Sequence, residues 1–329
     1  MLMRQLGRGG PMVPALGIGF WSVGGGYGAT DDDEARRLVD RAIALDATIF
    51  DTAPAYGAAE AFLGKVLSTR RHEVFLVSKC GLVPDPVTGR LILDGRPAAI
   101  RGHVEGSLGR LRTDYLDLLL VHYPDSRVPY TETMDALDAL RQAGKARYVG
   151  VSNFSAAHLR ESIQHAPMVA NQIGFHLYDR RWERDMFATA RSLGVGIMAY
   201  SPLAHGLLSG QWVEHPPSSA SDWRSLGDTL VSQHLFDPAN LTHNVASTAR
   251  LQPLAAQHGC SIAQLAIAWV LHHPSVTTVI TGSRRVAMLE ENIGALGVTL
   301  TSEDLAAMER IAKDIRGYDD ALPIWPISE

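Results

Sequence analysis

The sequence predicts a single (β/α)₈ TIM barrel over residues 1–329, on three observations. Short apolar runs of strand length alternate with longer stretches of helical spacing, eight times in roughly 280 residues. The runs are continuously apolar rather than alternating, so both faces of each strand are buried, as in a parallel sheet wrapped by helices. The rival, an open doubly wound sheet, calls for G-x-G-x-x-G after its first strand, and Gly24-Gly25-Gly26-Tyr27-Gly28 is spaced differently.

Taken in order, the strands are Leu16–Gly19, Ile49–Asp51, Val74–Lys79, Leu116–His122, Tyr148–Val151, Val169–Gln172, Gly196–Tyr200 and Val276–Ile280. Between them, Ala35, Leu38, Val39, Ala42 and Ile43 form one apolar helical face. Thr30 with Asp33 resembles a capping box at its start. Met134, Leu137 and Leu140 mark a further helix, Ser155 opens one that runs to about His165, and Arg181–Leu193 is expected to be another. Three segments interrupt the rhythm: 81–98, 204–243 and 316–329. They are expected as long loops at the C-terminal face of the barrel, where barrel enzymes bind substrate, with Trp212, Trp223, Tyr318 and Trp325 among them. No linker or repeat divides the chain.

Composition narrows the function. The 329 residues are 46% hydrophobic and 20% charged, which excludes a disordered chain and a fibre. The formal net charge of −5 comes without a basic stripe, so nucleic acid is not the expected partner. No apolar run approaches the ~18 residues of a membrane span, and the N-terminus shows no signal-peptide core. Cys80 and Cys260 make neither a disulfide framework nor a metal set, which suits a reducing, cytoplasmic setting.

Chemistry gathers at strand ends. Asp51, Lys79 and His122 each close an apolar run, and Tyr56 follows Asp51 by five residues. All four are expected at one rim of the barrel. A phenol titrates near 10, and a neighbouring ammonium favours its phenolate and lowers that value. Tyr56 as proton donor, Lys79 as its tuner, Asp51 as the anchor of Lys79 and His122 as orienter make a coherent set for carbonyl reduction. Asn171-Gln172 and Tyr200-Ser201 end two further strands at the same rim.

These residues sit in motifs that resemble the aldo-keto reductases. Phe50-Asp51-Thr52-Ala53-Pro54-Ala55-Tyr56-Gly57 with Glu60 and Leu63-Gly64 is similar to the second-strand signature of that family. Leu118 through Asp125, Gly150 through Phe154, Ala199 through Leu203, and Thr281 through Asn292 continue in the family's order. The resemblance implies a barrel that binds a nicotinamide cofactor without a Rossmann fold, and reduction of aldehydes or ketones. It implies Asp51, Tyr56, Lys79 and His122 as the catalytic set. It implies cofactor contacts at Phe20, Trp21, Asp51, Ser152, Asn153, Gln172, Tyr200, Ser201, Leu203, Arg224, Gly282, Ser283, Arg284, Met288, Glu291 and Asn292. Phe20, Gln211, Thr281 and Met288 depart from the family's usual Thr, Lys, Pro and Gln or Arg; Phe20 and Met288 each withdraw a polar contact, Gln211 a charge, and the departures bear on cofactor affinity rather than on the catalytic set.

The expected cofactor is NADPH rather than NADH, because Gly282-Ser283-Arg284 precedes a helix and Arg284 offers a fork for a 2′-phosphate. The partner is a small carbonyl or alcohol, with no metal, membrane or nucleic acid. Two alternatives stand beside this reading: a sugar or polyol dehydrogenase working oxidatively, and a cofactor-sensing subunit of a channel, for which loss of the histidine is the expected mark.

Overall fold

The computed structural model of the chain describes residues 1–26, 31–213 and 234–318. A hairpin of β1 (Met3–Gln5) and β2 (Met12–Pro14) comes first, then β3 (Leu16–Gly19), α1 (Asp32–Ala44), β4 (Ile49–Asp51), α2 (Ala59–Val66) and β5 (Phe75–Cys80). A second hairpin, β6 (Leu82–Pro84) and β7 (Leu91–Leu93), precedes α3 (Pro97–Leu111), β8 (Leu116–Val121), α4 (Tyr130–Gln142), β9 (Ala146–Ser152), α5 (Ala156–Ser162) and β10 (Met168–Gly174). The chain continues with α6 (Met186–Leu193), β11 (Gly196–Tyr200), α7 (Pro238–Ala249), α8 (Gln252–Gln257), α9 (Ile262–His272), β12 (Val276–Gly282), α10 (Val286–Gly294) and α11 (Ser302–Ala312). Strands β3, β4, β5, β8, β9, β10, β11 and β12 close in that order into a parallel barrel. They are the eight expected strands, with ends moved by one or two residues.

Two apolar layers explain the continuous hydrophobic runs. Ile49, Val77, Leu118, Leu120, Ala170, Met198 and Ile280 point inward and pack together. Their neighbours Phe50, Leu76, Leu119, Val151, Ile197 and Val279 pack outward against the helices. Alternation along each strand makes the residue two beyond the last inward apolar one face inward too. That register delivers Asp51, Lys79, His122, Gln172 and Tyr200 to the barrel's open end.

Several expectations are corrected. The first hairpin was not expected; it closes the opposite end of the barrel with Leu6 and Val13, both fully buried among the inward residues. Gly7 there has φ +72, and a Cβ would lie 2.3 Å from the Val169 carbonyl oxygen, so the plug fits only glycine. Segment 81–98 is not all loop. Asp85 accepts the Val87 and Thr88 N–H groups at 3.1 and 2.7 Å, folding Leu82–Pro84 back onto Leu91–Leu93. Its last residues already belong to α3, which begins at Pro97. The cap of α1 is Asp31, which accepts the Asp33 and Glu34 N–H groups; Thr30 lies outside the described residues. Helix α5 stops at Ser162, three residues short of His165, ahead of Pro167, whose ring disfavours helix in the residue before it. The expected helix 181–193 is broken: Arg181–Glu183 forms a 3₁₀ turn and α6 begins at Met186. Asp179 takes both the Arg181 N–H and its guanidinium, and Trp182 is buried, so side chains hold that turn. Segment 204–243 contains 3₁₀ turns at Ala204–Ser209 and Gln211–Val213 and ends inside α7. Among the described residues no single helix is long and apolar enough to cross a membrane.

Candidate functional site

A cavity of about 760 Å³ opens at the C-terminal end of the strands. Its floor is built by the inward register. Lys79 is fully enclosed, and its Nζ donates to Asp51 Oδ1 at 2.7 Å and to the Thr52 carbonyl at 3.0 Å. The other oxygen of Asp51 accepts from Gln172 Nε2 at 2.7 Å. Tyr56 reaches over from the loop before α2, and Lys79 Nζ lies 4.7 Å from its ring centre. His122 meets the Tyr56 ring edge-on at 5.7 Å between centres and stacks on Tyr123 at 5.0 Å.

The electrostatics follow from enclosure. Burial, and then the Asp51 carboxylate, raise the Tyr56 phenol well above its ordinary value. The net shift is therefore upward rather than the lowering expected from Lys79, because burial of the phenol and the nearby carboxylate outweigh the ammonium. Burial lowers the Lys79 ammonium, opposed by Asp51. Burial, and then Lys79, hold His122 well below the usual histidine range. At neutral pH the floor is therefore a protonated phenol, a neutral imidazole and a paired ammonium. His122 Nδ1 is buried without a hydrogen-bond partner among the described residues. A phenol that keeps its proton, beside a cation able to stabilise the phenolate left behind, can deliver a proton to an oxygen above it.

A second set of bonds fixes the wall. Asn153, at φ +62, donates from Nδ2 to the His122 carbonyl at 3.1 Å and to Ser152 Oγ at 3.0 Å, and accepts from the Tyr200 hydroxyl at 2.9 Å. Ser152 Oγ donates to the Gln172 carbonyl at 2.9 Å. The Tyr200 ring lies against Gly174, where a Cβ would come within 3.1 Å of it. Ser201 has φ +55 and leads the chain over the cavity.

Of the expected contact residues, Trp21, Asp51, Ser152, Asn153, Gln172, Tyr200, Ser201, Leu203, Gly282, Arg284 and Met288 line the cavity, as do Tyr56 and His122. Lys79 lies beneath it. The others are placed differently. Phe20 is fully buried against Phe50 at 5.1 Å and turns outward to the helices. Ser283 and Asn292 are buried and bonded to each other at 3.2 Å, so the Asn292 amide fixes the turn rather than facing the cavity. Glu291 offers its carbonyl to Gln264 Nε2 and is not among the lining residues. Arg224, with Trp223 and Trp325, lies outside the described residues.

Sequence reasoning missed two groups. Asp31, Glu34 and Arg37 of the first turns of α1 line the cavity near Arg284 and Arg285. In the sequence they are charged residues set around the apolar face of the first helix, with no strand end to mark them. His176, Asp179 and Arg181 line it beyond β10. They are polar residues just past a strand end, the signal that found Asp51; Arg181 alone fell within the expected helix 181–193. His176 Nδ1 accepts the Tyr178 N–H at 3.2 Å, and burial pushes its pKa down to about 4.

Residues 15–313 match the aldo/keto reductase family. The aldo-keto reductase str7 of Strobilurus tenacellus is 34% identical over 310 residues, covering 90% of this chain and 89% of its own. Probable aldo-keto reductase 1 of Glycine max is 33% identical over 333 residues, covering 98% and 90%. The solved glycerol dehydrogenase from Gluconobacter oxydans superposes with a TM-score of 0.84 at 29% identity, over 96% of this chain and 97% of that one. An aldo-keto reductase from Bacillus halodurans, in its holo form, gives 0.78 at 28% identity over 95% and 97%. The likeness thus runs from the first barrel strand into the last helix, in sequence and in fold alike, and the chain belongs to the aldo-keto reductase family, oxidoreductases that act on carbonyls and alcohols.

Proposed function

We propose that this chain is an NADPH-dependent oxidoreductase that reduces aldehydes or ketones to alcohols, with Tyr56 as the proton donor. The observation that carries the reading is the floor of the cavity, where a protonated phenol stands over the Lys79–Asp51 pair and beside a neutral His122. The residues present fit a nicotinamide dinucleotide. Tyr200 offers a flat ring backed by Gly174, the amides of Asn153 and Gln172 stand beside it, and Arg284 and Arg285 line the far end of the same cavity.

When bound, the reduced nicotinamide supplies the hydride that reduces the carbonyl carbon. The chain's own residues manage the proton. His122 donates a ring N–H to the substrate oxygen and orients it. Tyr56 gives its proton to that oxygen as negative charge develops there. Lys79 stabilises the phenolate that remains, and Asp51, held by Gln172, keeps Lys79 in place and charged. The preference for NADPH rests on the exposed Gly282 and the Arg284 fork. Because Met288 is apolar and Gln211 uncharged where the resemblance implies Gln or Arg and Lys, a preference of tens of fold is expected, about 2 kcal/mol.

The same groups run backward by microscopic reversibility. The likeness to a glycerol dehydrogenase favours polyol oxidation as the second reading. Retention of both Tyr56 and His122 weighs against a sensing subunit. Mixing the purified chain with panels of aldehydes, ketones, sugars and polyols, with each cofactor in each redox state, tests the reading. It expects cofactor turnover on small carbonyls with NADPH ahead of NADH, and no turnover on any panel sinks it.

A further inference from the structure

The carboxylate of Glu34 occupies the end of the cavity assigned above to the cofactor's phosphate. Helix α10 begins at Val286, and its N-cap, Arg285, supplies no side-chain acceptor. Glu34, in the first turn of α1, fills that role from another element: its Oε1 accepts the Val286 N–H at 3.0 Å. Arg37 grips Oε2 through Nε at 3.2 Å and a terminal nitrogen at 2.7 Å, so the carboxylate is held rather than free to swing. Glu34, Arg37, Gly282, Arg284, Arg285 and Met288 all line this stretch of wall. The end of the cavity that presents guanidinium forks to a phosphate therefore also presents a carboxylate, fixed in an ion pair with Arg37.

The consequence depends on the ligand's charge. A dianionic 2′-phosphate approaching Arg284 meets a like charge seated on the helix amide it needs. A ribose 2′-hydroxyl meets an acceptor for its proton. The same side chain thus opposes one cofactor and accommodates the other. We propose that Glu34 is a specificity-determining residue that holds down the preference for the phosphorylated cofactor. This inference rests on the NADPH reading of the site.

The test needs no turnover. The full chain and its Glu34→Gln variant are titrated by calorimetry or fluorescence with NADPH, NADH, adenosine 2′,5′-bisphosphate and adenosine 5′-monophosphate. Glu34→Gln keeps the shape and removes the charge. It is expected to tighten NADPH and the bisphosphate about three- to tenfold, up to ~1.4 kcal/mol, and to leave NADH and the monophosphate within about twofold. Arg41→Ala serves as the structural control, because Arg41 ties α1 to Glu290 of α10 at 2.7 Å without lining the cavity. It is expected to leave the NADPH-to-NADH ratio unchanged. An equal shift for both members of each pair, no shift, or the same change of ratio in Arg41→Ala overturns the proposal. Tighter NADH binding by the unmutated chain overturns the NADPH reading alone, since the ratio in Glu34→Gln still reports the charge of Glu34.

Discussion

Lys79 brings a charge inside the barrel, and its partners decide what that charge costs. Asp51 balances it at 2.7 Å, and Gln172 satisfies the remaining Asp51 oxygen. Lys79→Met should leave a buried carboxylate unpaired, at a cost of about 3–5 kcal/mol, read as a lowered denaturation midpoint. Removing both charges in Asp51→Asn/Lys79→Met should restore most of that stability and none of the activity. A double variant no more stable than the single one would mean that the pair is not what the fold relies on. Asp51, Lys79 and His122 were legible in the sequence because each closes an apolar run and follows the inward register. The bond from Gln172 to Asp51 was not legible, because it joins residues 121 apart across the barrel. Nor was the sign of the Tyr56 shift, which depends on burial and on the nearby Asp51 carboxylate.

At the scale of elements, the strands were readable because both faces of each are buried, and continuous apolar runs mark them. The two hairpins were not. Met3–Gln5 and Met12–Pro14 are three residues each, too short for a periodic signal, and their partly exposed outer residues dilute it. The first hairpin nonetheless closes the barrel. Leu6→Ala, at a fully buried position, should cost about 2–5 kcal/mol in chemical denaturation while leaving the rate per folded molecule unchanged, because the plug is at the end opposite the site. A loss of rate larger than the loss of folded protein would show that the plug shapes the floor. The broken helix before Met186 makes the converse point. Its spacing suited a helix, but the Asp179–Arg181 pair and buried Trp182 outweighed local preference.

For the whole molecule, the buried histidines set the response to acid. His176 is held neutral in the fold with a pKa of about 4, and His122 is pushed down as well. Unfolded, each takes up a proton near ~6.5. Between those values the unfolded chain binds more protons, so stability rises with pH and is lost as the pH falls from about 6.5 toward 4. His176 alone should remove on the order of 2 kcal/mol by about pH 5. His176→Asn should shrink the drop in denaturation midpoint between neutral pH and about pH 5, and an undiminished drop would acquit this histidine. The barrel and its polar rim were open to sequence reading because they follow from local register. The cavity's two ends were not, because Glu34 and Arg181 come from elements whose placement only the closed fold decides. The central claim is that Tyr56 supplies the proton in carbonyl reduction, and the most direct measurement compares NADPH consumption by the unmutated chain and by Tyr56→Phe on the best aldehyde of the panel, with NADPH affinity measured alongside. The account predicts a rate lower by about 10²- to 10⁴-fold at nearly unchanged affinity; a variant that keeps most of its rate would contradict it.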